Sequence, residues 1–366
     1  MEVALFFTRG VSLATWEEAG ILERELALYR RLGERGVGVA LVTYGRNGER
    51  RYRNRLPGFA LHHNRWNLPE PVYAALASRL HGALLARAAV VKSNQVLGAD
   101  VALAAARRHG KPLIARCGYL HSEFIEQAHG AGSPQARRAA ALEEKVFSGA
   151  ACVVVTADSM RRRVVERYAV GVERVRVVPN YVDTNAFRPR GDGRPRRVCF
   201  VGRLAEQKDP FLLIEAMRGL GAELLVVGEG HLKPALEAEA RRLGIDARFL
   251  GVVAHEKLPD VLGGCAVFVL PSRYEGQPKS LIEAMACGVA VVGADSPGIR
   301  ELIRNGETGL LCRPSEFRDA IASLLDDGPL RMRLGRSARR FAEENFDLAR
   351  IVELEHAVLR EVAARP

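Results

Sequence analysis

The chain contains no run of about 18 uninterrupted apolar residues, which excludes a helix long enough to span a bilayer. Its six cysteines (Cys117, Cys152, Cys199, Cys265, Cys287 and Cys312) stand singly, with no CxxC pair and no histidine at ligand spacing. That argues against a zinc site and against a disulfide framework, and it favours a reducing cytoplasm as the compartment. Low-complexity segments and short-period repeats are missing too, which leaves disordered and solenoid architectures aside. Met1 to Phe7 is a short apolar run with an acid at position 2. It lacks a basic n-region and a small-residue cleavage site, so a first strand is expected there, not a signal peptide. Lysine is scarce: seven of the 54 basic residues.

What is present suits a large globular protein. Of 366 residues 48% are hydrophobic and 27% charged, enough for two domains with ordinary cores. The net charge of +11 is unevenly placed, because residues 1–200 hold 32 Lys and Arg against 18 Asp and Glu. That excess predicts an anionic partner for the first half; the plainer reading is Arg-rich solvated faces.

Apolar runs of strand length alternate with helical patterns throughout, the signature of parallel α/β sheets. The strands expected in the first half are Val3–Thr8, Val37–Thr43, Ala89–Ser93, Pro112–Arg116, Cys152–Thr156 and Val175–Val178. A helix is expected over Glu17–Leu32, and Asp158 as the N-cap of another running to Tyr168. Asn185–Arg197, rich in Pro, Gly and Arg, is the expected linker. A second series follows: Arg197–Gly202, Glu223–Gly228, Arg248–Leu250, Ala266–Leu270, Val289–Gly293 and Gly309–Cys312, with a strand-free helical tail from Asp319 to Ala364. The expected domains are 1–187 and 188–345, both Rossmann-like, with a C-terminal helix over 346–366 crossing back to the first.

Nucleotides usually bind at the carboxyl ends of such strands. Three strand-end clusters of the second half suit one. In Val201–Pro210, Arg203 and Lys208 lie five residues apart on one loop, a fork and a point charge able to clamp a diphosphate. Gly228-Glu229-Gly230 sits between a strand and a helix, where a ligand can approach bare backbone or a plain tight turn can form. In Pro271–Gly288, Glu275 lies on a strand-end loop and Pro278 suits the first turn of the next helix. The free N–H groups near Lys279–Leu281 make an anion site. Glu283, flanked by apolar residues in that helix, is expected to be partnered or liganded.

Glu275 and Glu283, seven residues between them inside YEGQPKSLIEAMACGVAVVG, resemble the EX7E motif of the family-four retaining glycosyltransferases. The VGRL…K element, VVGEG and the segment Pro297–Leu311 are similar to that family in the same order, over roughly Asn180 to Arg313. The resemblance implies an α/β GT-B fold, two Rossmann-like doubly wound domains facing a central cleft. It implies transfer of a sugar from a UDP- or GDP-sugar to a hydroxyl acceptor with retention, in glycan or glycolipid biosynthesis. Arg203 and Lys208 would stabilise the departing diphosphate beside Gly202 and Gly228, and Glu275 would hold the donor sugar. Glu283 would hold the ribose, and Gly276, Gln277, Pro278, Lys279 and Ser280 would lie along the phosphates. The base would sit near Val252–Val253. In the front-face pathway usually proposed for the family, the leaving phosphate takes the acceptor proton. No cofactor beyond the donor is implied, and no metal is expected.

The first half departs from the family pattern. Where a Gly-Gly loop precedes the first helix, this chain reads Thr8-Arg9-Gly10-Val11-Ser12 onward; Gly20 falls where the second glycine would, with Gly10 as the alternative. The family's histidine near the reacting centre corresponds to His121, with Arg116 a comparable candidate. Arg51, Arg53, Arg55 and Trp66, in a basic and aromatic stretch, together with Arg116, are candidates to meet a sugar or lipid-linked acceptor at the inner face of an anionic membrane. No nucleic-acid-binding module is recognisable. The alternatives are an epimerase or phosphorylase on the same fold, or a sugar-nucleotide-binding protein without catalysis.

Overall fold

The computed structural model describes residues 1–191, 193 and 195–365, which fall into two compact units: Met1–Pro179 with the chain from Ile351 on, and Asn180–Arg350. Asp192 and Arg194 of the expected linker, and Pro366, lie outside the described residues.

The first unit is built on β1 (Glu2–Phe6), β2 (Gly38–Val42), β3 (Phe59–His62), β4 (Val90–Ser93), β5 (Leu113–Cys117), β6 (Cys152–Val155) and β7 (Val175–Val177). All pair in parallel in the order β3-β2-β1-β4-β5-β6-β7, with Val3 opposite both Val39 and Val90. The second unit carries β8 (Arg197–Val201), β9 (Glu223–Val227), β10 (Ala247–Gly251), β11 (Val267–Leu270), β12 (Ala290–Ala294) and β13 (Leu310–Cys312), in the order β10-β9-β8-β11-β12-β13. Continuous runs such as Val267–Leu270 form strands buried on both faces, as a parallel sheet clad in helices requires. The direction of winding reverses between β1 and β4 in one sheet and between β8 and β11 in the other. Such points open a crevice at the carboxyl ends of the strands.

Several local expectations are corrected. The helix expected over Glu17–Leu32 is two, Leu13–Glu18 and Leu22–Gly33, because Gly20 takes a left-handed conformation (φ 69°) that ends the first. Ala157, not Asp158, is the N-cap of its helix; Asp158 opens the first turn and pairs with Arg161 at 3.2 Å. Pro278 likewise is the N-cap of the helix Lys279–Ala286. The strand β3 was not expected. It is an edge strand buried on neither face completely, so its residues lack a clear alternation.

The helix Leu348–Ala363 brings Glu355 into the first unit, where it pairs with Lys92 of β4; both side chains are fully buried. Burial holds the Lys92 ammonium below the ordinary lysine range, and Glu355 opposes that shift.

Candidate functional site

In the second unit the loops after β8, β9, β10 and β11 converge at the winding reversal. The loop after β8 is stitched to the loop after β9. Gly202 N–H donates to Val227 O (3.0 Å), Leu204 N–H to Glu229 O (2.9 Å), and Gly228 N–H to Gly251 O (2.8 Å) after β10. Gly228 (φ 130°) must be glycine because a Cβ there would overlap the Gly202 carbonyl. What Gly228 admits is therefore the neighbouring loop and not an open approach for a ligand. Its part is to hold the backbone that carries Arg203.

That loop delivers two cations. Arg203 is exposed and touches Gln207 Oε1 at 3.3 Å. Lys208 Nζ reaches the Glu275 carboxylate across 67 residues of sequence, with 13% and 7% of the two side chains exposed. Gln207 Nε2 donates to Tyr274 O (3.0 Å), and Arg273 N–H to Gln207 O (2.9 Å), tying the β8 loop to the β11 loop.

The β11 loop is braced from two further sides. Glu275 N–H donates to Pro297 O (3.1 Å), and the positive φ of Gly298 (80°) places its Cα where a Cβ would strike the carbonyls of Glu275 and Gly276. Asn180 N–H donates to Gln277 Oε1 (2.6 Å) and Asn180 Nδ2 to Gln277 O (2.7 Å), so the Gln277 side chain is occupied in positioning the loop. The loop then enters the helix Lys279–Ala286, whose N-terminus has no side-chain cap. The first N–H groups of a helix have no partner within it, and here they follow four residues after Glu275, the partner of Lys208. The Lys279 ammonium lies 5.7 Å from the Tyr181 ring centre.

Glu283, one turn in and 1% exposed, accepts from His255 Nε2 at 2.9 Å. His255 follows β10 on the turn that begins just past Val252, Val253 and Ala254, and its ring lies 4.9 Å from that of Phe187. Sequence reasoning missed Asn180, His255 and Gly298. Only Gly298, within the Pro297–Leu311 segment, carried any local signal.

In the first unit carboxylates occupy the N-terminal ends of the helices after β1 and β5, while Ala99–Arg108, after β4, has no side-chain cap. Glu49, 2% exposed, accepts from Leu13 N–H (2.6 Å) and Ala14 N–H (3.3 Å) at the start of the first helix, and from Thr43 Oγ1. Burial raises its carboxyl above the usual range, and these donors oppose the rise. Gly45 makes room, since a Cβ there would overlap the Glu49 side chain. Gly10 lies on the loop between β1 and this helix, whereas Gly20 lies past the helix's far end; the expected placement of Gly20 before the first helix is corrected accordingly.

His121 opens the helix His121–His129 just past β5, half-buried, and burial holds its imidazole below the ordinary 6.5. Buried Glu143 accepts Ser122 N–H (3.2 Å) at the same helix end and also binds Tyr168 Oη. Arg116 is in β5 and only 8% exposed, so it cannot contribute to a membrane-facing patch. Arg51 and Arg55 both pair with Glu17, at 3.1 and 2.7 Å, and flank the Tyr52 ring, which spends much of their charge locally. Arg53 is exposed, and Trp66, 37% exposed, is covered by Arg65 at 4.6 Å. Among the described residues no group of three or more His, Cys, Asp or Glu gathers that could hold a metal, and no helix is long and apolar enough to cross a membrane.

Comparison with known proteins agrees with this geometry. Residues 26–186 match the model of glycosyltransferase family 4 and residues 182–341 that of glycosyl transferases group 1. The chain belongs to this glycosyltransferase family. It is 28% identical over 351 residues to a D-inositol 3-phosphate glycosyltransferase of Acidothermus cellulolyticus, covering 84% of this chain and 78% of that protein. It is 28% identical over 274 residues to a glycogen synthase of Mycobacterium tuberculosis, covering 70% of this chain but only 65% of the synthase. The fold is that of Anabaena HepE, crystallised with UDP and glucose: TM-score 0.77 and 19% identity, over 98% of this chain and 99% of that one. The architecture is GT-B.

Proposed function

We propose that the chain is a retaining glycosyltransferase that takes a sugar from a nucleoside diphosphate sugar and passes it to a hydroxyl acceptor. The observation that carries the reading is the cluster at the β8/β11 reversal. There Lys208 pairs with Glu275, four residues before the helix Lys279–Ala286, and Arg203 is exposed on the same loop as Lys208. Two cations and the dipole of a helix N-terminus would stabilise negative charge as it develops on a departing diphosphate, and this is where the catalytic effect would come from. Glu275 would hold hydroxyls of the donor sugar, and Glu283 those of the ribose. The leaving phosphate would take the acceptor's proton, so no separate general base is required. The crystal of HepE with UDP and glucose, and the activities for which the relatives are named, support a nucleotide sugar as donor.

On the acceptor side, the proposal is a hydroxyl-bearing sugar or lipid-linked sugar met by the first unit, with exposed Arg53, Arg65 and Trp66 as the membrane-facing candidates. The test is a panel of UDP- and GDP-sugars in thermal shift, followed by NMR of the product's anomeric configuration with and without EDTA. A saturating donor at 100 times its dissociation constant stabilises by about 2.7 kcal/mol. Inversion, strict dependence on added divalent metal, or release of free sugar or an epimer without acceptor would each replace the corresponding part of the reading.

A further inference from the structure

Glu283 is a carboxylate buried to 1% exposure in a helix whose flanking residues Leu281, Ile282, Ala284 and Met285 belong to the core. An ion in such a place needs donors that fix it. One of them comes from outside its helix. His255, on the turn after β10, donates Nε2–H to Glu283 Oε1 at 2.9 Å, and its ring is held in turn against Phe187, 4.9 Å away. The imidazole keeps 17% of its side chain exposed, so it stands between the buried carboxylate and the surface of the nucleotide-facing loops. Glu283 is in the helix that follows β11 and His255 on the turn that follows β10, two elements with no sheet pairing between them. This hydrogen bond thus couples the loop expected to meet the base to the group expected to meet the sugar of the nucleoside.

We infer that His255 is a positioning residue for nucleoside recognition: its Nε2–H fixes the rotamer of Glu283 so that the carboxylate presents its remaining acceptor positions to the ribose hydroxyls. This rests on the assignment of Glu283 to the ribose made above. A carboxylate has about four acceptor positions, of which the imidazole takes one. Free rotation of an unheld carboxylate would cost the bound state the ordering that His255 supplies in advance.

The experiment is calorimetry of UDP and GDP, each against its 2′-deoxy counterpart, on the whole chain and on His255→Phe, His255→Gln and Glu283→Ala. Phe keeps a ring against Phe187 but removes the donor; Gln keeps an N–H donor at similar reach. The wild-type chain is expected to prefer the ribonucleotide. His255→Phe should weaken the ribonucleotide by about tenfold, the order of one hydrogen bond to a charged group. It should leave the deoxynucleotide within about twofold, bringing the preference down to that of Glu283→Ala. His255→Gln should restore most of the preference. Equal weakening of both nucleotides by His255→Phe, or an unchanged preference in it while Glu283→Ala loses the preference, overturns the positioning role alone. Absence of any ribose preference in the wild-type chain, or its survival in Glu283→Ala, overturns the Glu283 assignment and this inference with it.

Discussion

The two units share one architecture and differ in what stands at their helix N-termini. In the first, the chain's own carboxylates fill the positions an anion would take: Glu49 on Leu13 and Ala14, and Glu143 on Ser122. In the second, none of the helices starting at Pro210, Lys233, Leu258 and Lys279 has a side-chain cap, and Lys208 and Arg203 stand by. The contrast lies at the helices after β1 and β5, since Ala99–Arg108 at the first unit's own reversal is likewise without a side-chain cap. Fold fixes where a ligand crevice lies; the side chains at the strand ends decide what charge it accepts.

The comparison breaks most visibly at Lys208. Lys208→Ala should lower turnover about a hundredfold, since a charge-assisted contact to developing negative charge is lost and Glu275 is left without its ion pair. Near-normal kcat in steady-state assays would take the charge asymmetry out of the mechanism. Gly228→Ala comes next. It places a Cβ on the Gly202 carbonyl from a backbone L-residues rarely adopt, and should cost about 2 kcal/mol in denaturant titration. Gly10→Ala, with nothing within 4 Å of the added Cβ, should cost less because only its positive φ (75°) is strained. If the two cost the same, the tight seam between the β8 and β9 loops is not what fixes Gly228.

The two glutamates sharpen the comparison within the second unit. Glu283→Ala should weaken nucleoside diphosphate and nucleotide sugar alike by about tenfold. Glu275→Ala should weaken the nucleotide sugar more than the free diphosphate. Calorimetry giving the reverse order would exchange their roles. A smaller effect is expected in the first unit. Glu49→Ala should lower stability by about 1–2 kcal/mol through loss of the helix cap, while nucleotide affinity stays as in the wild type. A changed affinity would mean that the closed helix end communicates with the donor. The smallest effect is at His121. Burial holds its pKa below 6.5, so the unfolded chain takes the proton more readily. The stability this contributes is present above pH 6.5 and fades as pH falls through the lowered folded value. NMR titration of His121 at or above 6.5 would refute it.

Much of the proposed donor site was legible because its residues are contiguous. Glu275, Pro278 and Glu283 lie within one strand–loop–helix passage, and hydrophobic runs of strand length announced both sheets. β3 was less legible, since an edge strand half-exposed on both faces shows neither period 2 nor a buried run. The break at Gly20 also escaped, because helical periodicity runs on through a three-residue connection.

By itself the sequence determined the class of fold, the order of the buried strands along the chain, and the residue types available at each strand end. Those follow from local patterns of burial and turn chemistry. Only the tertiary structure decided which of them meet. Lys208 pairs with Glu275 over 67 residues, Glu49 caps a helix 36 residues before it, His255 holds Glu283 from 28 residues away, and Gly228 is glycine for the sake of Gly202. Each of these depends on sheet order, which brings distant strand ends together and which no local period encodes.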